Sequence, residues 1–383
     1  MARLGDYVEQ IRGVSYKPED VCSSEDINAI PILRANNIQD DGLVFDDLVY
    51  VKKNKISAIQ YVKAGDIVVC ASSGSKNLVG KAAISSEDMP VSFGAFCKVV
   101  RPTKLLPSYV GHYFRSPKYR QKISELAAGA NINNIRNEHI DELDIVIVSE
   151  EEQERIVKEL DALNYLISLR KQQLSKLDEL VKSQFIELFG EPESNPYGHP
   201  IKKLSDIASY WNGLTYKPED VQNQGTIVLR SSNIQNSQLD FEDTVRVACR
   251  IREKQYVQNN DILMCSRNGS AKLVGKVALI TNIAEPMSFG AFMMIIRSDY
   301  YRYLMTYFQM DAFRNQIKTG ATTTINQITG NMLNQVTLPV PDLNVVSQFE
   351  TFVEQTDKSK FEIQKSLEKL ETLKKALMQK YFG

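Results

Sequence analysis

Two long stretches of this chain repeat one apolar spacing, and few folds accommodate that. From Glu150 to Phe189, Leu160, Leu163, Ile167, Leu174, Leu177, Val181 and Leu188 fall at steps of three and four, with Arg170 and Gln184 in the same seam. Later, Val353, Ile363, Leu367, Leu370, Leu377 and Tyr381 keep those steps, with Thr356, Lys360 and Lys374 among them. Such a seam lays one side of a helix along another helix. Both stretches finish in Phe-Gly, at Phe189-Gly190 and Phe382-Gly383, which suggests that each helix closes one half of the chain. Polar seam residues cost stability but fix register and partner. They differ between the copies, so the expectation is that the two helices pair with each other inside one chain. The outer side of the first helix, with Leu166, Leu169, Gln173 and Leu180, is more apolar than a two-helix seam needs. Burial against adjoining domains and docking of a partner subunit both account for it.

The rest of the chain is also duplicated. Gly13-Val-Ser-Tyr-Lys-Pro-Glu-Asp-Val21 returns as Gly213-Leu-Thr-Tyr-Lys-Pro-Glu-Asp-Val221. Leu78-Val-Gly-Lys81 returns as Leu273-Val-Gly-Lys276, and Ser92-Phe-Gly-Ala-Phe96 as Ser288-Phe-Gly-Ala-Phe292. Repeats this long mean a duplicated domain, because solenoid units are shorter. Each half opens with a short helical signal, at Leu4 to Val8 and Leu204 to Ala208. β-type runs follow at Ile30–Leu33, Asp66–Cys70, Leu78–Ile84 and Phe96–Val100, with counterparts in the second half. Helical stretches from Tyr109 to Leu126 and from Tyr303 to Ile317 precede a last strand, at Asp144 to Val148 and Val336 to Val340. The fold class expected is α+β, with residues 1–149 and 191–342 as the two domains and 150–190 and 343–383 as the helices. Three prolines between Glu191 and Pro200 mark the linker, since proline cannot continue a helix.

Composition excludes several classes. The formal net charge is −1, so any nucleic-acid affinity has to come from a patch assembled by folding. The five cysteines form no C-x-x-C pair and are expected as buried reduced thiols. The first residues carry no apolar signal core and no run is long enough to span a bilayer, which points to the cytoplasm. No phosphate-cradling glycine loop is present, and the three histidines, His112, His139 and His199, lack metal-ligand spacing. Asn195-Pro-Tyr197 lacks the second proline of the adenine-methyltransferase motif and sits in the linker. No catalytic centre is visible in the chain.

What remains are donor-rich loops at equivalent places in the two halves. Their frames are near copies while their contents differ: Ser-Lys-Asn against Arg-Asn-Gly, and Asn-Ile-Asn-Asn against Thr-Thr-Thr-Ile-Asn-Gln. Arg, Asn, Gln, Ser and Lys read base edges and hold phosphates, although Gly, Ser and Asn also simply make turns. Similar frames with different loop chemistry suit two readers of related but distinct sequences.

The chain resembles the specificity (S) subunit of type I restriction–modification systems. The resemblance covers its whole length and rests on the order of Arg3-Leu-Gly-Asp-Tyr7, Gly65-Asp-Ile67, Gln153-Glu-Arg-Ile-Val157, Phe185-Ile-Glu-Leu-Phe-Gly190 and Asn195-Pro-Tyr-Gly198. The second half departs from it with Asn260-Asp-Ile262 and with Ser347-Gln-Phe-Glu350 at its helix start. The resemblance implies two target recognition domains in a pseudo-twofold arrangement, joined by two long helices in an antiparallel coiled coil roughly 60 Å long. It also implies a bipartite double-stranded DNA target, two methyltransferase subunits and a restriction subunit that can join them. S-adenosylmethionine, ATP and magnesium would sit on those partners, with no cofactor or metal on this chain.

On that reading the DNA-facing residues of the first domain are Arg34, Asn36, Asn37, Ser72, Ser73, Ser75, Lys76, Asn77, Lys81, Asn131, Asn133, Asn134 and Arg136. Those of the second are Arg230, Ser232, Asn233, Arg267, Asn268, Ser270, Lys272, Lys276, Thr322, Thr323, Thr324, Asn326 and Gln327. One alternative is the specificity chain of a modification-only or type II system. Another, from a different class, is a structural adaptor with inert loops, which predicts no salt-sensitive, sequence-dependent DNA retention.

Overall fold

A computed structural model describes residues 1–40, 42–75, 78–128, 134–318 and 326–383. The chain divides into two compact units, one of residues 1–172 with 364–383 and one of residues 173–363.

In the first unit an antiparallel sheet runs in the order Val8–Arg12, Cys97–Pro102, Ile67–Cys70, Ala82–Ile84. A second sheet pairs Ala29–Leu33 antiparallel with Val49–Lys52 and parallel with Ser92–Phe93. The second unit repeats the first sheet with Ser209–Asn212, Met293–Arg297, Ile262–Cys265 and Val277–Leu279. Its other sheet again has a parallel pair, Thr226–Leu229 with Met287–Phe289. The duplication in sequence is thus a duplication of topology. The Ile67–Cys70 and Ile262–Cys265 strands are buried on both sides, which is why they read as unbroken apolar runs.

A buried ion pair explains the Asp-Ile signature. Asp66 receives two bonds from Arg101, both of 2.7 Å, and also accepts from the backbone N–H of Lys63. Asp261 repeats this with Arg297, at 2.6 and 2.8 Å, and with the N–H of Gln258. The residue before each aspartate has a left-handed backbone, φ 82° at Gly65 and 71° at Asn260. Asparagine is among the few side-chain-bearing residues that visit this region readily, so the second half's departure here is conformationally conservative.

Several expected bounds move for identifiable reasons. Leu78 to Ile84 is not one strand. Gly80, at φ 80°, makes a turn whose N–H donates to Cys70, and the strand starts only at Ala82; Gly275 does the same beside Cys265. The helical stretch after Tyr109 is two helices, Pro107–Tyr113 and Pro117–Ala128, because Pro117 cannot donate back to the preceding turn. The opening signal at Leu4 is a single 3-10 turn before the strand Val8–Arg12.

The long helices are Glu150–Phe189 and Leu343–Phe382, each of 40 residues. Every apolar seam residue named above is buried or half-buried. Within the second unit the pairing is antiparallel. Lys360 donates to Asp178 at 2.6 Å, and further along Phe349 meets Phe185 and Phe189 at 5.7 and 5.4 Å between ring centroids. Within the first unit, the start of one helix again meets the end of the other: the Tyr381 hydroxyl donates to Glu159 at 2.5 Å. The Phe-Gly ends correct one expectation. Phe189 packs on Tyr303 of the second half and Phe382 on Tyr109 of the first, so neither helix closes the half that precedes it.

Cys70, Cys97 and Cys265 are buried free thiols, and burial pushes the first two up to about 11 and about 12. Cys22 and Cys249 are only half-buried, unlike the expectation for all five. His112 is buried with Nε2 2.9 Å from Asp161, and His139 takes the N–H of Arg136. Among the described residues no helix is long and apolar enough to cross a membrane, and no cluster of His, Cys, Asp and Glu could hold a metal ion.

Candidate nucleic-acid interface

The frame residues of each half bring separate loops to one place. Gly-Ala-Phe follows the parallel strand of the second sheet, and its carbonyls tie down the loop after the buried strand. In the second unit the Phe292 carbonyl accepts the N–H groups of Ser266 and Arg267, at 2.9 and 3.0 Å. In the first, the Phe96 carbonyl accepts those of Ala71 and Ser72, at the same two distances. The serine that begins each motif is buried and anchors it from below, Ser92 donating to the Gln60 carbonyl and Ser288 to that of Gln255.

The late loop then joins the same place. Ser72 bridges Asn134 in the first unit, and Arg267 bridges Gln327 in the second. The Ile135 N–H donates to Ala71 and the Ile328 N–H to Ser266, both at 2.7 Å. In the second unit a third loop arrives. Asn268 donates through Nδ2 to the Ser231 hydroxyl at 3.1 Å, and Asn326 donates to the Gly269 carbonyl at 3.2 Å. Together these loops line a cavity of about 1050 Å³ that includes Arg230, Ser232, Arg267, Asn268 and Asn326.

The side chains expected to face DNA divide into groups. Arg267, Ser270 and Lys272 are exposed in the second unit, as are Ser75, Asn134 and Arg136 in the first. Asn36 is exposed as well, and Ser72, Ser73, Ser232, Lys276, Asn268, Asn326 and Gln327 are half-buried. Lys81 is half-buried with Nζ 3.6 Å from Asp40. Asn37 and Asn233 lie inside instead. Asn37 accepts the Arg34 N–H and donates to the Asp46 carbonyl. Asn233 accepts the Arg230 N–H and donates to the carbonyls of Asp240 and Asp243. Both close a 3-10 turn and leave no free edge for a base, which removes them from the solvent-facing set. Lys76, Asn77, Asn131, Asn133, Thr322, Thr323 and Thr324 lie outside the described residues.

Two features were missed from sequence. Arg34 is paired with Asp47 at 2.9 Å and Arg230 with Asp243 at 2.8 Å. Among the described residues each Nε is buried without a hydrogen-bond partner, while Nη2 reaches the carboxylate. The aspartates recur in Phe45-Asp-Asp47 and Phe241-Glu-Asp243, a repeat legible in the sequence. The second feature is the last ring of each Ser-Phe-Gly-Ala-Phe motif. Phe93 and Phe289 are buried, but Phe96 is 70% exposed and Phe292 60%. The Arg267 guanidinium lies 5.4 Å from the centroid of the Phe292 ring.

A tied cluster of arginine, asparagine, glutamine, serine and lysine at equivalent places in two domains is a surface that can donate to phosphates and base edges. Comparison with known proteins agrees with this chemistry. The family profile for the type I restriction modification DNA specificity domain matches residues 1–179 and 198–379. The chain is 30% identical to the type I restriction enzyme EcoKI specificity subunit of Escherichia coli K12, over 97% of this chain and 86% of the relative. It is 29% identical to the StySPI specificity subunit of Salmonella potsdam, over the same shares. In fold it is similar to the type I restriction–modification S subunit of M. genitalium, with TM-score 0.55 at 14% identity over 100% of this chain and 95% of that one. A chain from a solved type I restriction–modification complex gives TM-score 0.54 at 17% identity, covering 100% and 96%. With nearly its whole length matched, in two copies that coincide with the duplicated topology, the chain belongs to the family of type I restriction–modification DNA specificity subunits.

Proposed function

We propose that this chain selects the DNA target of a type I restriction–modification complex, each recognition domain reading one half of a bipartite site. The observation that carries this is the twofold recurrence of one arrangement: the loop after the buried strand bridged to the late loop, at Ser72–Asn134 and at Arg267–Gln327. The shared frame with different readers makes the half-sites related but distinct. The domains, residues 1–149 and 191–342, supply recognition; the helices, 150–190 and 343–383, set the half-site separation and recruit two methyltransferase subunits, to which restriction subunits can add. Catalysis, S-adenosylmethionine, ATP and magnesium belong to those partners. The complex works in the cytoplasm.

Exposed apolar side chains support docking on the helices. Tyr165 and Leu166 in one unit and Leu180 and Phe361 in the other lie 45 to 65% exposed on the long helices, outside the seam. Sequencing the methylated positions in a strain that expresses the complex tests the proposal. A split motif with inverted half-sites and an unread spacer is expected; one uninterrupted motif overturns it.

A further inference from the structure

Phe96 and Phe292 are unexplained by any packing role. They occupy the same place in the two repeats, and the first ring of the same motif is buried in both. Their backbones are not loose, since each carbonyl takes two N–H donors from the loop that carries the expected readers. In the second unit a third donor, the Ser266 hydroxyl, joins at 2.9 Å. The ring is therefore an apolar group held outward at a fixed height among polar ones.

In the second unit, what covers Phe292 also meets Arg267, Asn268 and Arg230, because all four line one cavity. Duplex DNA satisfies that mixture. Its major groove presents acceptors and donors together with one apolar group, the 5-methyl of thymine, and phenylalanine is among the side chains suited to contact it. An intercalating wedge is the other use of an exposed phenyl. It does not fit a ring set in the wall of a concavity with a guanidinium against it.

We propose that Phe96 and Phe292 each pack against the 5-methyl group of a thymine, one in each half-site. This rests on the DNA-reading function proposed above. Because the ring is common to both domains, the half-sites share that thymine. The neighbouring side chain is Ser72 in one and Arg267 in the other, so the adjacent base differs.

The test uses the full chain assembled with its methyltransferase subunits and duplexes carrying its own target. Each thymine is replaced in turn by deoxyuridine, which keeps the hydrogen-bonding edge and lacks only the methyl. One position in each half-site is expected to lose affinity about fourfold, the value of one buried methyl. Phe292→Ala should abolish the deoxyuridine effect in one half-site and Phe96→Ala in the other, while Phe292→Leu retains part of it. If the assembled wild type does not distinguish target from scrambled DNA, the DNA-reading function itself fails. If it does distinguish them but no deoxyuridine position matters, or the alanine variants keep the effect, the thymine contact is overturned and DNA reading stands. A rise in fluorescence of 2-aminopurine next to the contacted position that Phe292→Ala removes would mean a wedge, which also overturns it.

Discussion

The ring of Phe382 lies 5.2 Å from that of Tyr109, so the end of the C-terminal long helix is part of the core of the first domain. Phe189 and Tyr303, 5.0 Å apart, do the same for the second. Each domain is thereby finished by a helix end that follows the other domain in sequence, and the ends of the two long helices are structural parts of the recognition domains.

Phe382→Ala is expected to destabilise the first unit by about 3–5 kcal/mol, the usual loss for a buried phenylalanine. Phe189→Ala should do so in the second unit. Urea unfolding followed by hydrogen exchange reads the two units separately; equal loss of protection in both units from either variant would contradict this assignment.

Removing one partner of the buried ion pair should be costly. Asp261→Ala leaves the partly exposed Arg297 without its carboxylate and the Gln258 N–H without its acceptor, and should cost about 1–3 kcal/mol. Replacing both residues by apolar ones should restore most of that. Thermal melts of the single and double variants decide it.

Lys98 makes the first unit sensitive to alkaline pH. Its Nζ donates to two neutral acceptors, Gln10 at 3.0 Å and Asn137 at 2.8 Å, and burial, outweighing the nearby Asp141 and Glu138 carboxylates, pulls its pKa down to about 8. A lysine whose folded pKa lies below its unfolded value destabilises the fold while it is protonated. That penalty is full below about pH 8 and fades as pH rises towards the unfolded value of about 10.4. The second domain has Met294 at this place. Lys98→Met should therefore be more stable than wild type at pH 7, and most of the gap should be gone by pH 10; urea midpoints at both pH values measure it.

Asn233 and Arg267 should separate structure from recognition. Asn233→Ala leaves the backbone groups it serves unpaired and should cost about 1–3 kcal/mol of stability. Arg267→Ala should leave stability unchanged and relax one position of one half-site, as expected of a base contact worth about 1–3 kcal/mol. Equal weakening on all sequences would make Arg267 a phosphate contact.

Leu166→Asp and Leu180→Asp test the helix faces. Both side chains are close to half exposed, so the chain should stay folded while its methyltransferase partner is lost in co-purification. Unfolding of either variant would instead mean that these leucines serve the chain's own packing.

Much of this was legible in one dimension because it depends on local spacing. The duplication, the two forty-residue helices and their seam, and the strand at Ile67–Cys70 all follow from repeats and spacing, whereas the turn at Gly80 that delays the next strand to Ala82 did not show in the apolar run. The loops that would carry recognition could be named from their donor-rich composition. What composition could not tell was which donors point outward. Asn37 and Arg34 lie three residues apart in one polar stretch, yet Asn37 turns inward to bond the backbone while Arg34 reaches a carboxylate at the surface. Phe93 and Phe96 share one motif, yet one ring is core and the other is exposed. Tertiary structure decided these cases, because a side chain's fate depends on which distant backbone passes beside it. The same holds for the Phe-Gly ends. Sequence determined that two helices pair; only the antiparallel packing decided that each helix end completes the other repeat's core.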